Sequence, residues 1–224
     1  MSDLLLQRRI RLQKARLYGI LDLGYLSPDR LVPVGEAMIR GGVDLIQLRA
    51  KGRSHEEITA WARLLRPIFQ GTDTLFIVND DPEAARDAEV DGVHIGQDDG
   101  LVPEIRARIL PDQIVGKSSH SVEQAVAAAG EGADYIGVGP LFATPTKPDY
   151  VPVGLGLIGE VAARVAIPRF CIGGIKRENL DEVLAAGADR VVVVSGILQA
   201  GADADIEAYC RDLKSRVGMK GLLA

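Results

Sequence analysis

Two short apolar runs in this chain end in acids. Ile77-Val-Asn-Asp-Asp81 and Gly92-Val-His-Ile-Gly-Gln-Asp-Asp99 read as neighbouring parallel strands that deliver carboxylates to one rim. Asp80 and Asp99 are hard oxygen donors of the kind Mg²⁺ takes together with phosphate oxygens and water. Gln47-Leu-Arg-Ala-Lys51 places three donors at alternate positions. An extended strand reaching that far would present all three on one face. Arg49 offers a fork for phosphate oxygens and Lys51 a point charge. Gly173-Gly174 after one strand, and Ser195-Gly196 after the next, would turn backbone N–H groups toward a second anion. The chemistry suggested is metal-assisted handling of phosphorylated ligands. The plainer alternatives are a surface salt-bridge cluster at Gln47–Lys51 and helix caps or solvated turns for the acids. Asp81 before Pro82 reads as such a cap, and Asp98 as solvated. His94 reads as a core histidine. His120 is either a ligand donor or a helix N-terminal contact. No Ser/His/Asp or Cys/His nucleophilic set is evident.

A rim needs strands of one polarity to build it. Strands are predicted at Leu17–Leu21, Asp44–Leu48, Leu75–Val78, Gly92–Ile95, Ile114–Ser118, Asp134–Val138, Arg169–Ile172 and Arg190–Val194, with helical stretches between them. They are continuous apolar runs, as expected when both faces are buried. Ser54/Glu57 and Ser121/Gln124 have capping-box spacing. Gly42-Val-Asp44, Gly132-Ala-Asp134 and Gly187-Ala-Asp189 form a weak repeat that stops a helix and starts a strand, on the stability face. Eight strand–helix alternations predict an α/β fold, a single-domain (β/α)8 TIM barrel over residues 1–224 with a short N-terminal helix at 1–15. A doubly wound open sheet is the alternative. The basic face of that helix reads as solvated, ahead of a membrane contact.

Hydrophobic residues make up 47% of the chain, enough for a packed core, and the net charge of −5 disfavours a general nucleic-acid surface. No segment has the length of a membrane span and no signal peptide is evident. Cys171 and Cys210 imply no disulfide framework, so a cytoplasmic location is expected.

These blocks, together with Gly116-Lys-Ser-Ser-His120, Gly132-Ala-Asp-Tyr-Ile-Gly-Val-Gly-Pro140, Thr144-Pro-Thr-Lys147, Pro152-Val-Gly154 and Ile172-Gly-Gly-Ile175, resemble the thiamine phosphate synthase family in order from Leu17 to Ile197. The resemblance implies a transferase on a (β/α)8 barrel. It would join a hydroxymethylpyrimidine diphosphate to a methyl(phosphooxyethyl)thiazole, release diphosphate and form thiamine phosphate by a dissociative route with Mg²⁺ as cofactor. Carried over by position, it implies that Gln47, Arg49, Lys51 and Asn79 bind the pyrimidine diphosphate and that Asp80 and Asp99 hold Mg²⁺. Ser118 and Lys147 would bind the diphosphate side, and Thr144 and Thr146 the thiazole phosphate together with Gly174, Val194 and Ser195. Arg49, Lys51, Ser118 and Lys147 would carry the catalysis. Two departures stand out. Leu21 occupies a position where threonine is common. Lys117 replaces an aliphatic residue, and either faces outward or adds charge near the diphosphate. The rival functions are a thiazole tautomerase on the same barrel and a non-catalytic phosphometabolite sensor. The expected partners are the two phosphorylated small molecules, with no nucleic acid or membrane; a homodimer is left open.

Overall fold

The computed structural model describes residues 2–144 and 151–220. Eight strands close into a parallel barrel in sequence order: β1 Leu17–Asp22, β2 Leu45–Arg49, β3 Leu75–Asn79, β4 Gly92–Ile95, β5 Ile114–Ser119, β6 Tyr135–Val138, β7 Arg169–Cys171 and β8 Val191–Val193. β1 pairs with β8, with Leu17 opposite Val191, so the sheet has no free edge and the open-sheet alternative falls. The helices follow the alternation: α1 Asp3–Lys14, α2 Leu31–Arg40, α3 His55–Leu65, α4 Pro82–Asp87, α5 Val102–Arg106, α6 Val122–Gly130, α7 Gly156–Ala162, α8 Leu180–Ala185, α9 Ser195–Leu198 and α10 Asp203–Lys220. Among the described residues no helix is long and apolar enough to cross a membrane.

Local sequence explains several helix starts. Ser54 Oγ accepts from Glu57 N and Glu57 Oε2 accepts from Ser54 N at 3.0 Å, a reciprocal capping box. Asp81 Oδ1 accepts from Ala84 N at 2.8 Å ahead of Pro82. The expected box at Ser121 forms differently: Ser121 caps Gln124 N, but Gln124 Oε1 reaches back one residue further, to His120 N at 2.7 Å. The helix opened by Ser54 ends at Leu65, and Arg66–Phe69 tightens into a 3₁₀ turn. α9 is a one-turn helix that sequence spacing does not reveal.

Two apolar layers hold the barrel. Tyr18, Ile20, Leu45, Leu75, Ile77, Ile114, Tyr135, Phe170 and Val192 fill its interior, and the other strand face packs against the helices. α1 closes the interior from below with Leu5, Leu12 and the following Ala15. Its basic face is therefore only partly solvated: Lys14 is exposed, Arg9 and Arg11 are half-buried, and Arg8 is not solvated. Arg8 is buried and donates to Asp91 Oδ1 (2.8 Å) and Asp112 Oδ2 (2.6 Å), and Arg9 Nε donates to Asp134 Oδ1 at 2.8 Å. Two acids of the repeat have a role at the strand starts, and Asp91 shares it. Asp44, Asp91 and Asp134 each accept an N–H from the first two residues of an adjacent strand: Leu17 N, Phe76 N and Val115 N at 2.8–2.9 Å. Asp189, the third acid of the repeat, pairs with Arg190 instead. The base of the barrel is thus pinned by carboxylates, leaving its top free to carry chemistry.

Candidate active site

The C-terminal strand ends surround a cavity of about 920 Å³, its open mouth included. One wall carries Gln47, Arg49, Asn79 and Ser118; the opposite wall carries Gly174, Val194 and Ser195, with Thr144 at the rim. Seven residues expected from sequence to touch substrate, and Thr144 with them, therefore share one cavity. Thr146 and Lys147 lie outside the described residues.

Lys51 departs from its expectation. β2 ends at Arg49 and the chain turns, so Gln47, Arg49 and Lys51 do not share one face. Gln47 is buried in the barrel mouth and Arg49 sits above it, whereas Lys51 lines an adjoining open groove with Asn79 and Asp80. Both cations are paired. Arg49 Nη1 donates to Asp22 Oδ2 at 2.7 Å, and Lys51 Nζ pairs with Asp80 Oδ2. Asp22 is fully buried and accepts from Gly24 N at 2.9 Å, so its carboxylate fixes the guanidinium at the top of the neighbouring strand.

Asp80 takes φ +60°, a left-handed conformation that short polar side chains tolerate better than most. Its N–H still donates to His94 O at 2.9 Å, extending the β3–β4 ladder, while Asp81 N turns back to Asn79 O. That kink separates three consecutive side chains into three roles. Asn79 faces the cavity, Asp80 the groove, and Asp81 caps α4 while its carboxylate accepts from His55 Nδ1 at 3.0 Å.

Asp99 comes to Asp80 from the β4 turn. Packing around the Asp99 carboxyl raises its pKa above the ordinary value; the facing Asp80 raises it further, against the opposing pull of the Gly96 N–H, which it accepts at 2.6 Å, and of Lys51. A second carboxylate facing that of Asp99 suits a dication. No cluster of three or more His, Cys, Asp or Glu occurs among the described residues. Two carboxylates nonetheless match Mg²⁺, which commonly takes one or two from protein and fills its octahedron with water and substrate phosphate. The donor set fits.

Gly173 and Gly174 both have positive φ, +101° and +67°. A Cβ on Gly173 would lie 2.4 Å from Pro140, and one on Gly174 2.7 Å from the Phe142 side chain, so the loop passes close to the segment after β6. Asn179 braces it: its Nδ2 donates to Gly174 O and its Oδ1 accepts from Lys176 N. That brace was not foreseen, although an Asn three residues beyond Lys176 has the spacing of a local side-chain turn.

His94 is no inert core residue: it lines the cavity, with Nε2 3.0 Å from Ser118 Oγ and Nδ1 3.2 Å from Tyr135 Oη. His120 also lines the cavity, its Nδ1–H donating to Gly139 O at 2.5 Å while its backbone N–H meets Gln124. Lys117 is turned outward. Its buried ammonium donates to Glu131 Oε2 (2.9 Å) and Gly100 O (3.0 Å) between the helices, so it adds no charge to the cavity. Leu21 is buried in the layer between sheet and helices. Both cysteines are buried, and burial pushes the Cys210 thiol up to about 12. Neither is a thiolate nucleophile.

The chain that carries this two-walled cavity is similar to known proteins. The family model for thiamine monophosphate synthase matches residues 17–197. The thiamine-phosphate synthase of Shouchella clausii is 45% identical over 186 residues, covering 83% of this chain and 89% of that one. That of Thermosynechococcus vestitus is 42% identical over 214 residues; the alignment covers 95% of this chain but 59% of that longer protein. The thiamine phosphate pyrophosphorylase structure from Pyrococcus furiosus superposes with a TM-score of 0.81 at 32% identity, covering 94% and 98% of the two chains. Mycobacterium tuberculosis tryptophan synthase, at 16% identity and a TM-score of 0.67, shares the fold alone. The chain belongs to the thiamine monophosphate synthase family.

Proposed function

We propose that the protein condenses a hydroxymethylpyrimidine diphosphate with a phosphooxyethyl thiazole to give thiamine phosphate and diphosphate. The observation that carries this reading is the two-sided cavity: Gln47, Arg49, Asn79 and Ser118 face Gly174, Val194 and Ser195 across one opening. Each wall suits one phosphorylated partner. The pyrimidine lies against Gln47 and Asn79, and its diphosphate extends toward Arg49, Lys51 and Ser118. The thiazole phosphate rests on the backbone of Gly174 and Val194 and on Ser195, with Thr144 and Thr146 as further donors to it.

The reaction has no call for a protein nucleophile. The carbon–oxygen bond to the diphosphate breaks first, and the leaving group takes the electron pair. The pyrimidinylmethyl cation so formed accepts the lone pair of the thiazole nitrogen, closing the new carbon–nitrogen bond. Arg49, Lys51 and Lys147 donate to the leaving oxygens as charge builds on them, where fixed donors count most. Asp80 and Asp99 would hold Mg²⁺ at the groove edge. Bound there, the ion supplies charge neutralisation for the diphosphate. Lys147→Ala should slow turnover while leaving pyrimidine binding largely in place; a wild-type rate would remove that residue's role. Thiamine phosphate formation from the two substrates, with and without Mg²⁺, tests the whole reading.

A further inference from the structure

Five polar side chains cross the barrel interior in one unbroken line. Gln47 Nε2 lies 2.7 Å from Tyr18 Oη, Tyr18 Oη 3.2 Å from Tyr135 Oη, Tyr135 Oη 3.2 Å from His94 Nδ1, and His94 Nε2 3.0 Å from Ser118 Oγ. The line starts and ends at the cavity, since Gln47 and Ser118 both line it. Most of it is buried: Tyr18 and Gln47 are 2% exposed and Tyr135 0%, while Tyr18 and His94 also line the cavity wall. Burial raises the pKa of both phenols, so each keeps its one hydrogen. The backbone makes room for it. A Cβ on Gly116 would fall 2.1 Å from Tyr135 Cζ, and Gly137 places no side chain over His94.

A line of this kind has only two fully satisfied directions, because each phenol donates once and neutral imidazole carries one N–H. In one, the Gln47 amide donates to Tyr18, Tyr18 to Tyr135, Tyr135 to His94 Nδ1, and His94 Nε2–H to Ser118. Gln47 then turns its carbonyl oxygen to the ligand, and the Ser118 hydrogen is left for the ligand as well. In the other, every bond reverses: Ser118 uses its hydrogen on His94, and Gln47 shows the ligand an NH₂ group. Mixed arrangements either strand a buried hydroxyl hydrogen or set two buried hydroxyl oxygens face to face with no hydrogen between them, and both are costly. The two ends are therefore coupled through Tyr18, Tyr135 and His94.

We propose that Tyr18, Tyr135 and His94 are positioning residues that hold the line in the first direction, making Ser118 a donor to an anionic oxygen and Gln47 an acceptor for an amino group. The Gln47 amide nitrogen already faces Tyr18. The inference rests on the synthase reading for its ligand: an aminopyrimidine bearing a diphosphate offers that amino donor and those anionic acceptors.

Nitrogen NMR of the ligand-free wild-type protein, with the His94 signals assigned through His94→Gln, reads the direction without any assay. The expected result is protonation at Nε2 alone at neutral pH, with the Nδ1–H form gaining population in Tyr135→Phe. Calorimetry with inorganic diphosphate and Mg²⁺ then reads the consequence. Ser118→Ala should weaken binding about tenfold, the size of one charge-assisted hydrogen bond. Tyr135→Phe should weaken it several-fold in the wild-type background but not further in Ser118→Ala, the non-additivity of residues acting through one another. If Tyr135→Phe does not fold, Tyr18→Phe breaks the same line one link earlier. His94 protonated at Nδ1 in the wild type, or an equal loss from Tyr135→Phe in both backgrounds, overturns the proposal. A protein that shows the expected tautomer and coupling yet forms no thiamine phosphate would lose the synthase reading and keep the directed line.

Discussion

The Lys51 ammonium is paired with the Asp80 carboxylate, each just beyond the end of its own strand, β2 and β3. A lysine thus pairs with the carboxylate that a dication would share, and Asp80 holds its position at φ +60°. Function and backbone ease are set against each other there. Asp80→Gly should leave thermal stability unchanged or raise it by up to about 1 kcal/mol, since glycine adopts positive φ freely, while abolishing Mg²⁺-dependent turnover. Thermal melts alongside the synthase assay check this. Wild-type turnover in Asp80→Gly would remove the metal assignment at that residue.

Asp22 is 1% exposed and serves Arg49 as an anchor. Asp22→Ala leaves the guanidinium without its fixed partner on the β1 side. The expected result is a fall in kcat/KM for the pyrimidine diphosphate of up to about a hundredfold, the scale of a misplaced binding group. Steady-state kinetics over a range of pyrimidine diphosphate read it; an unchanged kcat/KM would mean that Arg49 does not need Asp22.

The Arg8 side chain is 9% exposed and bridges Asp91 and Asp112 beneath the barrel. Arg8→Ala strips both acids of a partner and loosens the plug formed by Leu5 and Leu12. Destabilisation of about 3 kcal/mol is expected in urea unfolding, with kcat at 25 °C unaffected because the site is at the opposite end. A small loss of stability would show that α1 is a passive cover.

His55 has a raised pKa, chiefly from its hydrogen bond to Asp81, against a smaller opposing effect of burial. A raised folded-state value means that protonated His55 stabilises the native state fully below the unfolded value of about 6.5, and that this contribution fades as pH rises through the higher folded value. Melting temperature should therefore fall slightly from pH 6 to pH 8, and His55→Ala should flatten that part of the profile. The pair is partly exposed, so salt should weaken the effect. An identical profile in the variant would rule out His55 as its source.

Features set by near neighbours were readable from sequence, and those set by distant ones were not. The Ser54/Glu57 box, the Asp81-Pro82 cap and the buried apolar strands each follow from a few consecutive residues. The basic face of α1 looked solvated because its partners, Asp91 and Asp112, lie 83 and 104 positions away. His94 looked like a filler of the core because Tyr135 and Ser118 meet it from other strands. Lys51 continues the alternation in sequence, but the chain turns after Arg49, and the lysine swings from the cavity toward Asp80. The acids of the rim were legible as a pair; the left-handed turn at Asp80 that sorts Asn79, Asp80 and Asp81 into separate tasks was not.

Product formation by the purified protein tests the central claim most directly. With the hydroxymethylpyrimidine diphosphate, the thiazole phosphate and Mg²⁺, the two-walled cavity should release thiamine phosphate and diphosphate in equal amounts, and omission of either substrate or of Mg²⁺ should stop the appearance of thiamine phosphate. Binding of both substrates with no thiamine phosphate formed in the presence of Mg²⁺ would contradict the account.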